Sequence, residues 1–160
     1  MPQQSKRKKL GKLSPAQLKE LPRPRRLSAI ADNSDGRHPA WRLAFLDLEH
    51  AGNWSWQLGA EDLHEIVRFL REMERLTWTE IYAQLTSSKR GSHRKHHAMP
   101  AAQLCGEAQR RLEELRLDDF DELFRFRLGN MRRLWGIVDD EVFYPVWWNA
   151  EHRVYPQDHE

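Results

Sequence analysis

Cysteine is almost missing from this chain. Cys105 is the only one in 160 residues, so no internal disulfide can form, and the chain suits a reducing compartment. No stretch approaches the roughly 18 consecutive apolar residues that a membrane-spanning helix requires. The basic N-terminus has no apolar segment behind it, so it does not read as a secretory signal. Glycine-rich phosphate loops, a nucleophile elbow and a paired zinc-ligand helix motif are lacking as well. These absences predict a cytoplasmic protein that enters no membrane and holds neither a nucleotide in a P-loop nor a metal in a standard zinc motif.

What is present describes a folded domain with a wet surface. Hydrophobic residues make up 39% and charged residues 31% of the chain, and seven Trp, six Phe and three Tyr supply bulky core material. The length fits one domain plus a tail. A net charge of +2 hides a strong asymmetry. Residues 1–30 carry nine Lys or Arg against the single acid Glu20, leaving 17 basic and 23 acidic residues in the remainder. A basic arm on an acidic body is drawn to polyphosphate, to an acidic partner or to its own body, and it also reads as a plain solubilising tail.

Residues 1–40 therefore read as a basic, largely disordered tail, with a short helix over 15–21 started by Ser14 and Pro15. A domain over 41–160 follows. Residues 42–48 and 54–58 read as a strand hairpin around Ala51-Gly52-Asn53. Leu63, Ile66, Val67, Leu70, Met73 and Leu76 recur at helical spacing, and Thr77-Trp78-Thr79-Glu80 is a capping box opening a second helix. Residues 87–99 read as a basic surface loop, and Pro100 as the start of a third helix. Alternation then takes over: 123–128, 131–138 and 141–148 form a three-stranded antiparallel meander. Pro145 lacks a donor, which places it at an edge or a bulge. The fold class is α+β.

Side chains two apart in a strand share a face. With Phe124 and Phe126 in the core, Arg125 and Arg127 project together from the other side, and Arg133 shares a face with Trp135 and Ile137. Converging arginines near His152 and Tyr155 can grip a phosphate and stack a base. They can equally pair with Asp118–Glu122 and Asp139–Glu141 as solvated edge charges. Lys89, Arg90, Arg94 and Lys95 in the basic loop are candidate backbone contacts for RNA. His93, His96 and His97 with Cys105 make a poor metal set, because those same cations surround them.

The run Arg133-Leu134-Trp135-Gly136-Ile137-Val138-Asp139-Asp140-Glu141-Val142, then Phe143–Trp148 and Glu151-His152-Arg153-Val154-Tyr155, resembles the C-terminal end of the RelE/ParE toxin superfamily. Members there show an arginine opening a strand, an acidic turn, an apolar strand and a closing His/Arg/Tyr cluster. The resemblance is confined to the C-terminal third. It implies a RelE-like fold, with an N-terminal strand or hairpin, two to three helices and the meander. It also implies a ribonuclease that cuts mRNA on the ribosome through the ribose 2′-hydroxyl, without a cofactor, and that an antitoxin protein restrains. By the same resemblance Arg133 contacts the phosphate, and His152 and Tyr155 supply acid, base or stacking functions. A non-enzymatic RNA- or ribosome-binding module stays open, as does a protein-interaction factor using an aromatic surface around Trp147 and Trp148.

Overall fold

The computed structural model describes residues 36–155. The tail and its helix at 15–21 lie outside these residues, apart from 36–40. In chain order the elements are β1 (Ala40–Trp41), α1 (Ala60–Met73), α2 (Trp78–Ala83), β2 (Leu85–Ser88), β3 (Gly91–Arg94), β4 (His97–Pro100), a 3₁₀ turn (Ala101–Gln103), α3 (Gly106–Glu114), β5 (Glu122–Leu128), β6 (Arg132–Asp139) and β7 (Val142–Asn149). Five strands form one sheet in the order β1-β7-β6-β5-β4, antiparallel except where β1 runs parallel to β7; β2 and β3 pair separately as a hairpin. The class is α+β, as the alternation and helical periods predict.

The meander forms because its apolar positions alternate and its turns accept a left-handed residue. Gly129 and Asp140 sit at φ 72° and 51°, conformations open to glycine and tolerated by aspartate. Both sheet faces are buried. Phe124, Phe126, Leu134, Val138, Phe143 and Trp148 pack on one side against Ile66 and Met73 of α1 and Trp78 and Ile81 of α2. Leu123, Trp135, Ile137, Val146 and Trp147 pack on the other against Leu104, Ala108 and Leu112. Each large side chain buried this way contributes roughly 1.5–3 kcal/mol. Trp147 and Trp148 are fully interior, so the aromatic docking surface expected there does not exist.

The second helix begins as its sequence predicts: Thr77 accepts from the Glu80 amide at 3.3 Å, and Glu80 accepts from the Thr77 amide at 2.7 Å. The first helix is rotated from its predicted seat. Ile66 and Met73 are buried, but Leu63 and Val67 are about half exposed at 51% and 48%. Arg132 reaches back from β6 to Asp62 and Glu65 on this helix.

Three expectations are corrected. Residues 42–58 form no hairpin. They make an irregular strap along β7, because the Val146 carbonyl accepts both the Asp47 amide and the Trp56 indole N–H, while Trp54 enters the core. Residues 87–99 are not a loop: Gly91, at φ 110°, turns the β2–β3 hairpin, and β4 follows. Pro100 ends β4 rather than opening α3, which starts at Gly106. Pro145 does lie at a bulge: Trp135 pairs with Trp147 and Gly136 with Pro145, leaving Val146 extra. Gly136 permits this, since a Cβ there would collide with the Tyr144 carbonyl and the Phe143 ring.

Asp47 fastens the strap. Its buried carboxylate receives Arg111 Nε at 2.8 Å, Arg111 Nη2 at 2.6 Å and the Trp147 indole N–H at 2.9 Å. Burial acts to raise its pKa, but the bonds from Arg111 and Trp147 outweigh that and hold the carboxyl below its ordinary range.

Candidate anion-binding site

The sheet register assembles two rows of side chains across the face that carries α3. Antiparallel pairing puts His97 opposite Arg125, Arg125 opposite Trp135, and Trp135 opposite Trp147. One step along, Arg127 lies opposite Arg133, and Arg133 opposite Asn149. Like charges paired directly across two strands repel. Among the described residues no ion pair joins a carboxylate to Arg125, Arg127 or Arg133.

Burial makes the arrangement costlier. Arg125 and Arg133 are only 7% and 4% exposed. Burial, followed by the charge of Arg127, pushes Arg125 down to about 10. Burial, followed by Arg125 and Arg127, pushes Arg133 down to about 9. Both remain cationic at neutral pH.

Their bonds are to neutral acceptors. Arg133 donates to the Arg132 and Asn130 carbonyls, each at 2.9 Å, and Arg127 to the Gly129 carbonyl at 3.0 Å and Thr86 Oγ1 at 3.2 Å. Arg125 donates to His97 Nε2 at 2.9 Å. Four buried donors in the same two rows have no acceptor among the described residues: Arg125 Nε, Arg133 Nε, Trp135 Nε1 and Asn149 Nδ2. Unsatisfied donors gathered round excess positive charge are what an anion's oxygens would complete.

The segment after β7 closes over this point. His152 turns back with φ 61°. Burial, then the charges of Arg133 and Arg125, lower its pKa. Tyr155 is near enough to Arg125 for their charges to interact. Strand pairing therefore brings Arg125, Arg127 and Arg133 together on one face, with His152 and Tyr155 within electrostatic reach of them. Lys89, Arg90 and Arg94 stand exposed on and beside the β2–β3 hairpin, with Lys95 half-buried. The Arg127–Thr86 bond ties that hairpin to the cluster.

Sequence reasoning missed His97, Trp135 and Asn149 as members of the site. Only the strand pairing places them there. Reading 87–99 as a loop concealed that His96 and His97 occupy opposite faces. His96 is fully buried against Phe69 and Phe126, with Nδ1 accepting the Arg127 amide at 3.0 Å and Nε2 bonded to Gln84 at 3.3 Å. The two imidazoles cannot share a ligand, and among the described residues no group of three or more His, Cys, Asp or Glu could hold a metal ion.

Burial, then nearby Lys95 and Arg125, depress His96 to about 3, against an ordinary value of 6.5. Above pH 6.5 the ring is neutral in folded and unfolded chain alike, and stability is unaffected. Below it the unfolded state takes up a proton that the folded state refuses, so stability falls by about 1.4 kcal/mol per pH unit toward pH 3. Urea denaturation at pH 7 and 4.5 is expected to cost the wild type about 2–3 kcal/mol more than His96→Gln, which keeps an acceptor but cannot titrate.

No family model matches the chain, and no curated protein or solved structure does either. Among the described residues no helix is long and apolar enough to cross a membrane.

Proposed function

We propose that this chain is a RelE-like endoribonuclease that cuts mRNA without a metal cofactor, on the ribosome, as the toxin of a toxin–antitoxin or mobile-element module. The observation that carries the reading is the knot of three arginines, with no carboxylate paired to it among the described residues, ringed by orphaned donors and flanked by titratable side chains. Buried like charges of this kind cluster at ligand sites. A phosphodiester is the matching ligand: it is anionic, its oxygens accept from Arg125 and Arg133 together, and its charge grows in the phosphorane. Arg127 and the basic hairpin supply backbone contacts on either side of the scissile phosphate. His152 and Tyr155 are the titratable side chains to which this reading gives proton transfer to or from the ribose oxygens. The C-terminal resemblance assigns the same residues.

Induced expression of the full chain is expected to arrest growth. The purified protein, given translating ribosomes and a free single-stranded RNA, is expected to leave fragments ending in a 2′,3′-cyclic phosphate. Salt-sensitive RNA binding with no fragment would instead make the chain a binding module. Abundant soluble protein with neither effect would overturn the reading.

A further inference from the structure

We infer that His97 is the general base of this site, taking the proton from the attacking ribose 2′-hydroxyl; the inference rests on the nuclease reading above. Nothing in the sequence pattern singled it out. The argument begins with its two hydrogen bonds. Arginine has only donors, so the 2.9 Å contact from Arg125 Nη2 requires a lone pair on His97 Nε2. The proton must then reside on Nδ1, which donates to the Ala98 carbonyl at 3.0 Å. His97 is thereby fixed as the tautomer whose basic nitrogen faces the arginine cluster.

The neighbouring charges keep that nitrogen unprotonated. Burial lowers the His97 pKa, the bond to Ala98 works against this, and Arg125, His93 and Arg133 lower it further. An imidazole that is neutral at physiological pH is in the form a base needs.

Geometry then assigns the sides. Arg125 Nε is buried without an acceptor, and it shares one edge of the guanidinium with Nη2. A phosphate oxygen bound at Nε therefore lies beside the nitrogen that His97 touches. Strand order completes the arrangement: His97 is on β4, the arginines are on β5 and β6, and His152 and Tyr155 follow β7. The backbones of β4 and β7 are three strand spacings apart, roughly 14 Å, with the arginine strands between them. In-line displacement at phosphorus needs its base and acid on opposite sides, and this order provides them.

In the step, Arg125 Nη2 transfers its hydrogen bond from His97 to a phosphate oxygen, the freed His97 Nε2 takes the 2′-hydroxyl proton, the 2′-oxygen bonds to phosphorus, and the phosphorus–O5′ bond breaks. The departing O5′ takes a proton from the Tyr155 hydroxyl, leaving a phenolate beside the Arg125 guanidinium. The products are a 2′,3′-cyclic phosphate and a 5′-hydroxyl. Solvent then removes the proton from His97 and restores one to Tyr155.

The test uses the full chain, the RNA substrate and its 2′-O-methyl analogue, which lacks the attacking hydroxyl. His97→Gln is expected to bind the analogue within about threefold of wild type while cleaving RNA about 10²- to 10⁴-fold more slowly. Added imidazole is expected to restore part of the activity of His97→Ala, with an acidic limb that follows the free imidazole. That rescue keeps the question answerable if the glutamine variant folds poorly. Wild-type cleavage rates in both variants would overturn the inference and leave the nuclease reading standing. A fall in binding that matches the fall in cleavage would also overturn it, reducing His97 to a prop for Arg125. Failure of the wild type to cut RNA removes both.

Discussion

Arg133→Met is expected to make the protein more stable and functionless in one step. The wild-type guanidinium is 4% exposed, stands opposite Arg127, and has no carboxylate among the described residues. Removing a buried charge in favour of an apolar side chain of similar length relieves desolvation and repulsion together. Of the carbonyls it leaves, those of Gly129 and Asn130 belong to exposed turn residues that water can satisfy, and that of Arg132 to a half-buried residue at the start of β6. A gain of about 1–3 kcal/mol follows from comparable replacements of buried ionic groups, which in a domain of this size is a rise of roughly 5–10 °C in Tm. RNA affinity is expected to drop about 10- to 100-fold, the worth of a charge-assisted contact. Arg132→Met is the control, since Arg132 pairs with Asp62 and Glu65 on the opposite face. It is expected to leave affinity unchanged and stability level or slightly lower. Melting curves and an RNA titration on both variants decide the matter; a destabilised Arg133→Met would mean that the site is structural.

Arg111→Ala is expected to cost about 3–5 kcal/mol, read as a shift in the urea midpoint at neutral pH. Asp47 has a side chain 1% exposed, and Arg111 is its ion-pair partner. Without the guanidinium, the carboxylate keeps only the Trp147 indole bond and must stay charged in the interior or take up a proton. The Arg111 contact to Glu114 contributes little, as Glu114 is 62% exposed. The loss is large because one carboxylate joins three parts: the strap, α3 and β7. Since the Asp47 pKa is lowered on folding, its contribution is full at neutral pH and disappears as pH falls through the acid range. Arg111→Ala is therefore expected to flatten that acid limb as well. A double change, Asp47→Leu with Arg111→Met, is expected to recover most of the loss, because no buried charge is then left alone.

The meander was legible in the sequence because its signal is local. Phe124 and Phe126 against Arg125 and Arg127, with Gly129-Asn130 and Asp139-Asp140 between apolar runs, fix strand, face and turn without distant information. The capping box at Thr77–Glu80 was legible for the same reason. Residues 42–58 were not. RLAFLDL and WSWQL carry strand-like composition, yet their groups are satisfied by Val146, Arg111 and Trp147, each some 60 to 100 positions away in the chain. The basic residues at 87–99 masked two strands, since Gly91 and a polar, exposed hairpin give no apolar alternation to read. Within the site, the arginines could be placed on one face by counting in twos. That Arg127 faces Arg133, and that His97 faces Arg125, depends on register, which no pattern inside a single strand encodes.

Adjacent imidazoles at the start of β4, His96 just before it and His97 its first residue, face opposite sides of the sheet. His96 packs between Phe69 and Phe126 in the core, while His97, the next residue, accepts from Arg125 at the edge of the arginine rows. Their separation depends on how many residues leave the hairpin before β4 begins, a count pinned by the Lys95 amide on the Gln84 carbonyl and by the His96–Gln84 contact. Inserting or deleting one residue there would trade the two rings, putting the wrong imidazole in the core and the wrong one beside the guanidinium, and spoiling durability and chemistry through a single change of length.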